Sequence, residues 1–155
     1  MIQGLHIRRL DADEPAFETV ARWRYDAFFA QDGGTFEESR DALRAWMDGL
    51  GYETALLAEV DGQPAGSCLF VREEIDPMHD LTPWLAALYV APAFRRQGVA
   101  RALVRAIEQH ARSVGCCELF LYTVTAEPVY AKLGWTALDR FQSNGEQFVL
   151  MAREL

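Results

Sequence analysis

The segment from residue 84 to residue 124 constrains the fold of this chain most strongly. It begins with an uncharged, bulky run, residues 84–91, which ends at Pro92 and predicts a strand buried on both faces. A helical pattern follows and stops at Gly115, and residues 118–124 predict a further strand. This order predicts a parallel crossover with the connecting turn at the carboxyl end of the first strand.

The predicted helix has one apolar face and one charged face. The apolar positions recur at helical spacing: Val99, Leu103, Ile107 or Ala106, Ala111 and Val114. The charged face contains Arg101, Arg105, Glu108 and Arg112. We therefore expect a helix that packs on one side and is solvated on the other.

The turn before this helix predicts a site for a phosphate group. A helix that opens at Gly98 has backbone N–H groups without intrahelical partners, and its dipole is positive at that end. The predicted cofactor contacts in the turn are Arg95, Arg96, Gln97, Gly98, Val99, Ala100 and Arg101. The Walker pattern and the dinucleotide fingerprint are both absent, so the ligand predicted is a diphosphate on another kind of cofactor.

Two motifs in this region resemble those of one enzyme family. Arg95, Gly98 and Ala100 fill the pattern Gln/Arg-x-x-Gly-x-Gly/Ala, which resembles the acetyl-CoA signature of the GNAT family of N-acetyltransferases. Residues 129–135 resemble the Tyr-x-x-Leu-Gly-Phe signature of the same family, with Trp135 in the phenylalanine position. The resemblance covers roughly residues 53–139.

The resemblance implies an acetyl-CoA-dependent transfer of an acetyl group to an amine, without a metal or a covalent enzyme intermediate. It implies that backbone groups of Leu88, Tyr89 and Val90 bind the pantetheine arm and offer N–H groups to the thioester oxygen. It also implies that Tyr130 is the general acid for the departing thiolate. From composition alone, Tyr130 would be a core aromatic residue with a hydrogen-bonded tip.

The sequence departs from the family pattern at the general base. Family members often have an acidic residue on the strand before the phosphate turn, where this chain has Ala86 and Ala87. The nearby candidates for accepting the proton of the amine are Glu73, Glu74, Asp76, His79 and Asp80. We expect Asp80 first and Glu74 second, although each is also explained as a solvated loop charge.

The remaining patterns predict a mixed α/β fold. Thr35 with Glu38 is typical of a capping box, and Asp61-Gly62 and residues 143–145 are typical of hairpin turns. The predicted order of elements is β-α-α-β-β-β-α-β-α-β-β. This is the order of the GNAT fold, in which a twisted central mixed sheet has helices on both faces.

Loops and aromatic residues are the candidates for recognising the amine. We expect specificity to come from residues 28–36, 74–84 and 140–146. An aromatic pocket for a cationic amine could be lined by Phe28, Phe29, Phe36, Trp84, Tyr89 and Phe141. The acceptor could be a polyamine-like or aminoglycoside-like amine, an amino acid or a peptide N-terminus, and nothing in the sequence selects among these.

Composition predicts a single domain over residues 1–155. A net charge of −8 argues against nucleic acid as a partner, because such partners require a basic face. No apolar run predicts a membrane span and no leader is apparent, so we expect a cytoplasmic protein. The three cysteines lack zinc or redox spacing and predict free, mostly buried thiols with no metal. A homodimer through exposed strand edges is left open.

Residues 95–112 form a basic patch with five arginines and one glutamate. This patch and the missing acid on the strand before it leave two alternative functions. Arg95, Arg96 and Arg101 favour cofactor binding, whereas Arg105 and Arg112 are equally well explained as a solvated helix face. One alternative is a module of the same fold that binds acyl-CoA as a sensor and performs no chemistry. The other is an unrelated nucleotide-binding protein that uses the same arginines.

Overall fold

Within residues 4–49, 51–74 and 77–155, which the computed structural model describes, the chain forms seven strands and four α-helices. The strands are β1 (Leu5–Arg9), β2 (Thr54–Val60), β3 (Gln63–Val71), β4 (Trp84–Val90), β5 (Glu118–Thr123), β6 (Thr136–Ser143) and β7 (Glu146–Glu154). The helices are α1 (Pro15–Arg24), α2 (Phe36–Asp48), α3 (Val99–Ser113) and α4 (Glu127–Lys132). The predicted order of elements is confirmed.

The strands form a mixed sheet in the order β1-β2-β3-β4-β5-β7-β6. Strand β1 pairs antiparallel with β2, and β7 pairs antiparallel with both β5 and β6. Strands β4 and β5 are parallel and are connected through α3, as the sequence predicts. In this parallel pairing, Trp84 on β4 lies opposite Phe120 on β5.

Local sequence signals explain how several elements begin and turn. The hydroxyl of Thr35 accepts from the backbone N–H of Glu38, whose side chain in turn bonds the N–H of Thr35, so the capping box is confirmed. Asp61-Gly62 joins β2 to β3 and Asn144-Gly145 joins β6 to β7. All four turn residues have positive φ, which is the geometry of the two-residue hairpin turn.

The chain divides into two compact units, each built from two segments. The first consists of Met1–Leu69 and Ala87–Ile107. Its core includes Phe17, Leu43, Leu57 and Leu103, each at most 1% exposed. At its edge, Arg8 on β1 binds carboxylates at the start of α1 and on β2, Glu14 and Glu59.

The second unit consists of Phe70–Ala86 and Glu108–Leu155. Its core includes Trp84, Leu119, Leu121 and Met151, each at most 1% exposed. The sequence predicts a single domain, and that organisation stays a prediction. Among the described residues, no helix combines the length and the apolarity that crossing a bilayer requires.

The first helix ends earlier than the sequence pattern indicates, since the apolar stripe from Phe17 to Phe28 predicts a helix that continues to Gly33-Gly34. α1 ends at Arg24, and a π-helical turn follows over Tyr25–Phe29, in which the N–H of Ala30 donates to the carbonyl of Tyr25. A short 3-10 turn then leads to Gly33. Apolar spacing does not distinguish a π turn from an α turn when both continue one helical segment, so the difference could not be read from it.

Two expectations about individual side chains are wrong. Glu108 is not part of a solvated face: it is 1% exposed and its carboxylate accepts from the indole N–H of Trp135 at 3.1 Å. Of the cysteines only Cys68 is buried, and burial raises the pKa of its thiol far above the usual range. Cys116 is half-buried and Cys117 is exposed, because both lie in the loop between α3 and β5.

Candidate active site

Strand β4 carries a backbone irregularity at Ala87. Residues 84–86 are buried and residues 87–90 are half-buried. Ala87 has a φ of +54°, a left-handed conformation that costs a residue with a Cβ about 1–2 kcal/mol. Such a residue interrupts the regular alternation of backbone N–H groups along a strand. The change therefore occurs immediately before Leu88, Tyr89 and Val90, the predicted contacts of the pantetheine arm.

The carboxyl end of β4 is held by the neighbouring strand. The N–H of Ala91 donates to the carbonyl of Ala65 on β3 at 2.8 Å. A Cβ at Gly66 would lie 2.7 Å from the carbonyl oxygen of Tyr89, so the absence of a side chain there permits the close approach. The ring of Tyr89 lies against Trp23, with centroids 5.3 Å apart. These contacts fix the backbone that leads into the turn.

The turn between β4 and α3 is open at Gly98. A 3-10 turn spans Pro92–Phe94, and α3 begins at Val99. Gly98 has a φ of +88°, and a Cβ built on it would meet nothing within 4 Å. The N–H of Ala102 donates to the carbonyl of Gly98, which makes it the first amide bonded within the helix. The amides just before it, from Gly98 to Arg101, are the donors that the first turn of a helix leaves without intrahelical partners.

The side chains around this turn are fixed to different extents. Arg95 donates through Nε to the carbonyl of Val90 at 2.8 Å, and its guanidinium lies 5.6 Å from the ring centroid of Tyr89. Gln97 donates to the carbonyl of Ala93. Arg96, with a φ of +63°, and Arg101 are exposed. The turn thus has three exposed arginines beside the helix start, of which Arg95 is hydrogen-bonded to the backbone of β4.

Tyr130 lies on α4 in the second unit. It is 7% exposed, and its ring lies 6.0 Å from that of Trp135, the aromatic residue of the same motif. The N–H of Trp135 donates to the carbonyl of Tyr130 at 3.1 Å, so a backbone hydrogen bond joins the two aromatic residues of the motif just after the helix. Tyr130 and Trp135 therefore pack against each other, and this contact does not depend on the phenol hydroxyl.

The segment between β3 and β4 contains the predicted proton acceptors. Asp80 is exposed and Glu74 is half-buried. Asp76 lies outside the described residues. The hydroxyl of Thr82 donates to the carbonyl of Arg72 at 2.6 Å and ties the two ends of the segment together.

A chain of hydrogen bonds joins this segment to the sheet through His79. The Nδ1 atom of His79 lies 3.0 Å from the hydroxyl of Tyr122 on β5, and its Nε2 atom lies 2.8 Å from Oδ2 of Asp139 on β6. The N–H of Met78 also donates to the Tyr122 hydroxyl at 3.0 Å. His79 was among the sequence candidates, whereas Tyr122 and Asp139 were missed.

The surroundings of this chain shift two pKa values in opposite directions. Burial raises the pKa of Tyr122, and a weaker contribution of the same sign comes from the charge of Glu74. The hydrogen bond from His79, assisted by the backbone N–H of Arg140, lowers the pKa of Asp139. Asp139 is therefore a carboxylate at neutral pH, and Tyr122 is a neutral phenol.

The aromatic residues predicted to form a pocket have different environments. In the first unit, Arg22 lies 3.8 Å above the ring of Phe36 and Arg24 lies 4.3 Å above Phe29, so the protein's own cations occupy these faces. Phe28 is 43% exposed. In the second unit, Trp84 is fully buried and belongs to the core, so its assignment to a pocket lining is wrong.

The predicted cofactor contacts all lie in the first unit, within residues 88–101. The predicted acid and bases, Tyr130, Asp80 and Glu74, all lie in the second. In the described part of the chain, no three His, Cys, Asp or Glu side chains are grouped so that they could hold a metal ion.

Comparison with known proteins identifies one family. Residues 17–135, more than half of the chain, match the model of the acetyltransferase (GNAT) family. No curated protein matches the sequence.

Three solved structures have the same fold at less than 20% sequence identity. One is an aminoglycoside 6'-N-acetyltransferase complexed with coenzyme A, at 15% identity and a TM-score of 0.75, with 96% of each chain covered. Another is yncA from Salmonella typhimurium with its cofactor acetyl-CoA, at 17% identity and a TM-score of 0.77, covering 98% of this chain and 94% of that one. A third is a ribosomal-protein-alanine N-acetyltransferase from Brucella melitensis, at 18% identity and a TM-score of 0.75, with 97% and 99% covered.

Proposed function

The chain belongs to the GNAT family of acetyltransferases, and from this premise we propose that it transfers an acetyl group directly from acetyl-CoA to a primary amine of a small molecule or peptide. The thioester supplies an activated acetyl group. The protein must then bind the phosphates, orient the thioester, accept a proton from the amine and stabilise the departing thiolate.

The open turn at Gly98 is the observation that carries this proposal. A diphosphate needs several N–H donors at one point and room to approach the backbone, and the start of α3 offers both. The exposed guanidinium groups of Arg96 and Arg101 add charge and forked donors. The residues present therefore fit the diphosphate of coenzyme A.

We assign the thioester end of the ligand to strand β4. The half-buried residues Leu88, Tyr89 and Val90 would pair with the pantetheine arm as an added strand. An N–H donor aimed at the thioester oxygen contributes about 10²- to 10³-fold to a rate of this kind. The left-handed Ala87 supports the assignment, because it re-aims the backbone just before these residues.

The proton steps require an acid and a base. Tyr130 is the proposed acid, which would donate to the sulfur as the carbon–sulfur bond breaks. An alkyl ammonium must lose a proton before its nitrogen can attack, and β4 offers only Ala86 and Ala87 where an acid is often found. Among the carboxylates of the segment before β4, Asp80 is the first candidate for this step and Glu74 the second.

An amine screen tests the proposed function. The protein is incubated with acetyl-CoA and single amines from each class, including polyamines, aminoglycosides, amino acids and peptides, and free thiol is measured. We expect sustained thiol release with at least one class. Tight binding of acetyl-CoA without turnover on any amine would support the sensor instead.

Competition calorimetry tests the other alternative. We expect coenzyme A to displace acetyl-CoA and ATP to have no effect at equal concentration. Binding of ATP but not of coenzyme A would assign the arginines to a nucleotide site. The cytoplasmic location and the lack of a nucleic-acid partner stay predictions from the sequence. The sequence leaves a homodimer open.

A further inference from the structure

We propose that Glu108 is a positioning residue that holds Tyr130, the proposed acid, in place through Trp135. The inference rests on the proposed acetyl transfer, because Tyr130 has an acid role only there. Glu108, Tyr130 and Trp135 all belong to the second unit, as does Arg153, which contacts both Glu108 and the motif.

The indole of Trp135 brings a hydrogen-bond donor into the core. Trp135 is 2% exposed, and an indole N–H that is withdrawn from water needs an acceptor. The Oε2 atom of Glu108 accepts from it at 3.1 Å. A phenylalanine, the residue usual at this position of the family motif, has no N–H. This chain therefore has a contact that the usual residue could not make.

Arg153 offsets the cost of burying Glu108. A buried carboxylate is unfavourable unless charges or hydrogen bonds compensate for the loss of water. Glu108 is 1% exposed, and the Nε atom of Arg153 on β7 lies 3.8 Å from its Oε2 atom. Within the described residues this Nε atom is buried without a hydrogen-bond partner, so it acts on Glu108 through its charge. The ion pair stabilises Glu108 where Trp135 needs an acceptor.

The guanidinium of Arg153 also holds the residue before Trp135. Its Nη1 atom donates to the carbonyl of Gly134 at 3.2 Å. Gly134 has a φ of +98°, and a Cβ built on it would clash with Nη1, so a side chain there would push the guanidinium away. Gly134 and Trp135 are thus both held by the ion pair of Arg153 and Glu108.

Trp135 transmits this constraint to Tyr130. Its backbone N–H donates to the Tyr130 carbonyl at 3.1 Å, and the two rings lie 6.0 Å apart. The helix that carries Tyr130, α4, has six residues, and a helix this short depends on contacts outside itself. At its other end, Glu127 pairs with Arg140 at 2.7 Å, but both side chains are reached by water, which weakens such pairs. Glu108 therefore provides the buried anchor.

The expected consequence is a loss of rate without a loss of cofactor affinity. A displacement of about 1 Å can lower the rate of a positioned reaction about 10²-fold. The predicted contacts of acetyl-CoA lie within residues 88–101, in the first unit, and Glu108 is not among them. We therefore expect removal of the Glu108 contact to lower kcat and to leave the Kd for acetyl-CoA unchanged.

Matched variants form the first test. Glu108→Leu removes the acceptor, and Trp135→Phe removes the donor and keeps an aromatic ring. We expect each to lower kcat about 10-fold or more, and Glu108→Gln, which keeps an acceptor oxygen, to retain most of it. Gln109→Leu, at the exposed next position of α3, is the control and should leave kcat unchanged. Wild-type kcat in both Glu108→Leu and Trp135→Phe would overturn the proposal.

The Tyr130→Phe background separates positioning from a general loss of stability. If Glu108 acts through the phenol, Glu108→Leu has no acid left to misplace in this background. We expect the double variant to have the kcat of Tyr130→Phe alone. An equal fold loss in both backgrounds would overturn the positioning role. Wild-type kcat in Tyr130→Phe itself would reject the acid role, which is a failure of the proposed function.

Nuclear magnetic resonance tests the positioning without turnover. Tyrosine labelled with carbon-13 in the ring gives a Tyr130 signal, identified by its loss in Tyr130→Phe, and the indole N–H of Trp135 gives a second signal. We expect Glu108→Leu to move both signals and Gln109→Leu to move neither. A moved indole signal with an unmoved Tyr130 signal would overturn the proposal whatever the amine screen gives. Failure of the screen together with failure to bind acetyl-CoA would instead reject the proposed function.

Discussion

At the scale of single residues, Gly98 gives the sharpest test of the phosphate site. Gly98→Asp places a carboxylate and its bulk where the diphosphate is proposed to bind, so we expect the Kd for acetyl-CoA to rise at least about 100-fold, or roughly 2.7 kcal/mol. Isothermal calorimetry measures this directly. A Cβ at Gly98 meets nothing within 4 Å, so any loss of binding does not come from a steric clash inside the protein.

The matched control lies at the other end of the same helix. Gly115 also has a φ of +88° and open space around a built Cβ, so Gly115→Asp carries the same backbone strain and the same added charge. We expect it to leave the Kd unchanged. Equal weakening in both variants would mean that strain or net charge, and not contact with the ligand, controls binding.

Tyr130 is tested by the distinction between turnover and binding. If its phenol acts mainly in the transition state, Tyr130→Phe should lower kcat by about 10²-fold and leave the Kd for acetyl-CoA nearly unchanged. Steady-state kinetics and calorimetry on the same preparation give the two values. Tyr52→Phe, in the loop between α2 and β2, is the control for removing a phenol elsewhere. A loss that appears equally in kcat and in affinity would reject the acid role.

The sequence predicts residues with local roles and misses those with distant partners. Thr35 and Glu38 are three positions apart, so their capping box can be read directly. His79 is 43 positions from Tyr122 and 60 from Asp139, and no spacing rule connects such residues before the sheet order is known. Ala87 likewise looks ordinary in sequence, because its left-handed φ is imposed by the strands around it.

At the scale of elements, Arg8 ties β1 to α1 and β2. Its guanidinium donates to Glu14 at 2.7 Å and to Glu59 at 2.8 Å, and Glu14 also accepts from the N–H of Asp11. The hydrogen bond from Arg8 lowers the pKa of Glu14 below its ordinary value of about 4.5. Stability from this pair is therefore fully present above about pH 4.5 and is lost as pH falls through the lower, folded-state value.

Urea unfolding at several pH values measures how much the pair of Arg8 and Glu14 contributes to the free energy of unfolding. We expect Glu14→Gln to lower the free energy of unfolding by about 1–2 kcal/mol at pH 7, because a charge-assisted hydrogen bond is replaced by a neutral one. The difference from wild type should narrow in urea titrations as the pH is lowered. Glu18→Gln is the control, because its contact with Arg40 is 4.0 Å and exposed, and it should change stability by less than about 0.5 kcal/mol. A difference that is constant with pH would contradict the assignment.

At the scale of elements, the order could be predicted from local signals. Each strand or helix has residues that mark its ends, and apolar residues recur within it at the spacing of its type. The π-helical turn at Tyr25–Phe29 could not be predicted, since apolar spacing does not distinguish it from an α turn. The burial of Glu108 could not be predicted either, since it depends on a partner far away in the sequence. Glu108 occupies a charged position in the helical pattern, yet Trp135, 27 positions away, supplies the donor that allows it to be buried.

At the scale of the whole molecule, the net charge of −8 and the basic turn act on an anionic ligand in opposite directions. The screening length is about 10 Å at 0.1 M salt, so distant acidic side chains are screened while contacts at the turn are not. We therefore expect local attraction to dominate, and the Kd for acetyl-CoA to rise as salt increases from about 0.05 to about 0.5 M.

Charge-neutralising variants assign the salt dependence to particular arginines. Arg96→Gln and Arg101→Gln should each weaken binding at low salt and make the Kd less sensitive to salt, because each removes a cation beside the proposed diphosphate. Arg112→Gln changes net charge equally but lies near the carboxyl end of α3, so its salt dependence should match that of wild type. Calorimetry over a salt series measures all three. If the Kd instead falls with salt, or if the three variants behave alike, repulsion by the whole acidic molecule governs binding and the diphosphate does not contact this turn.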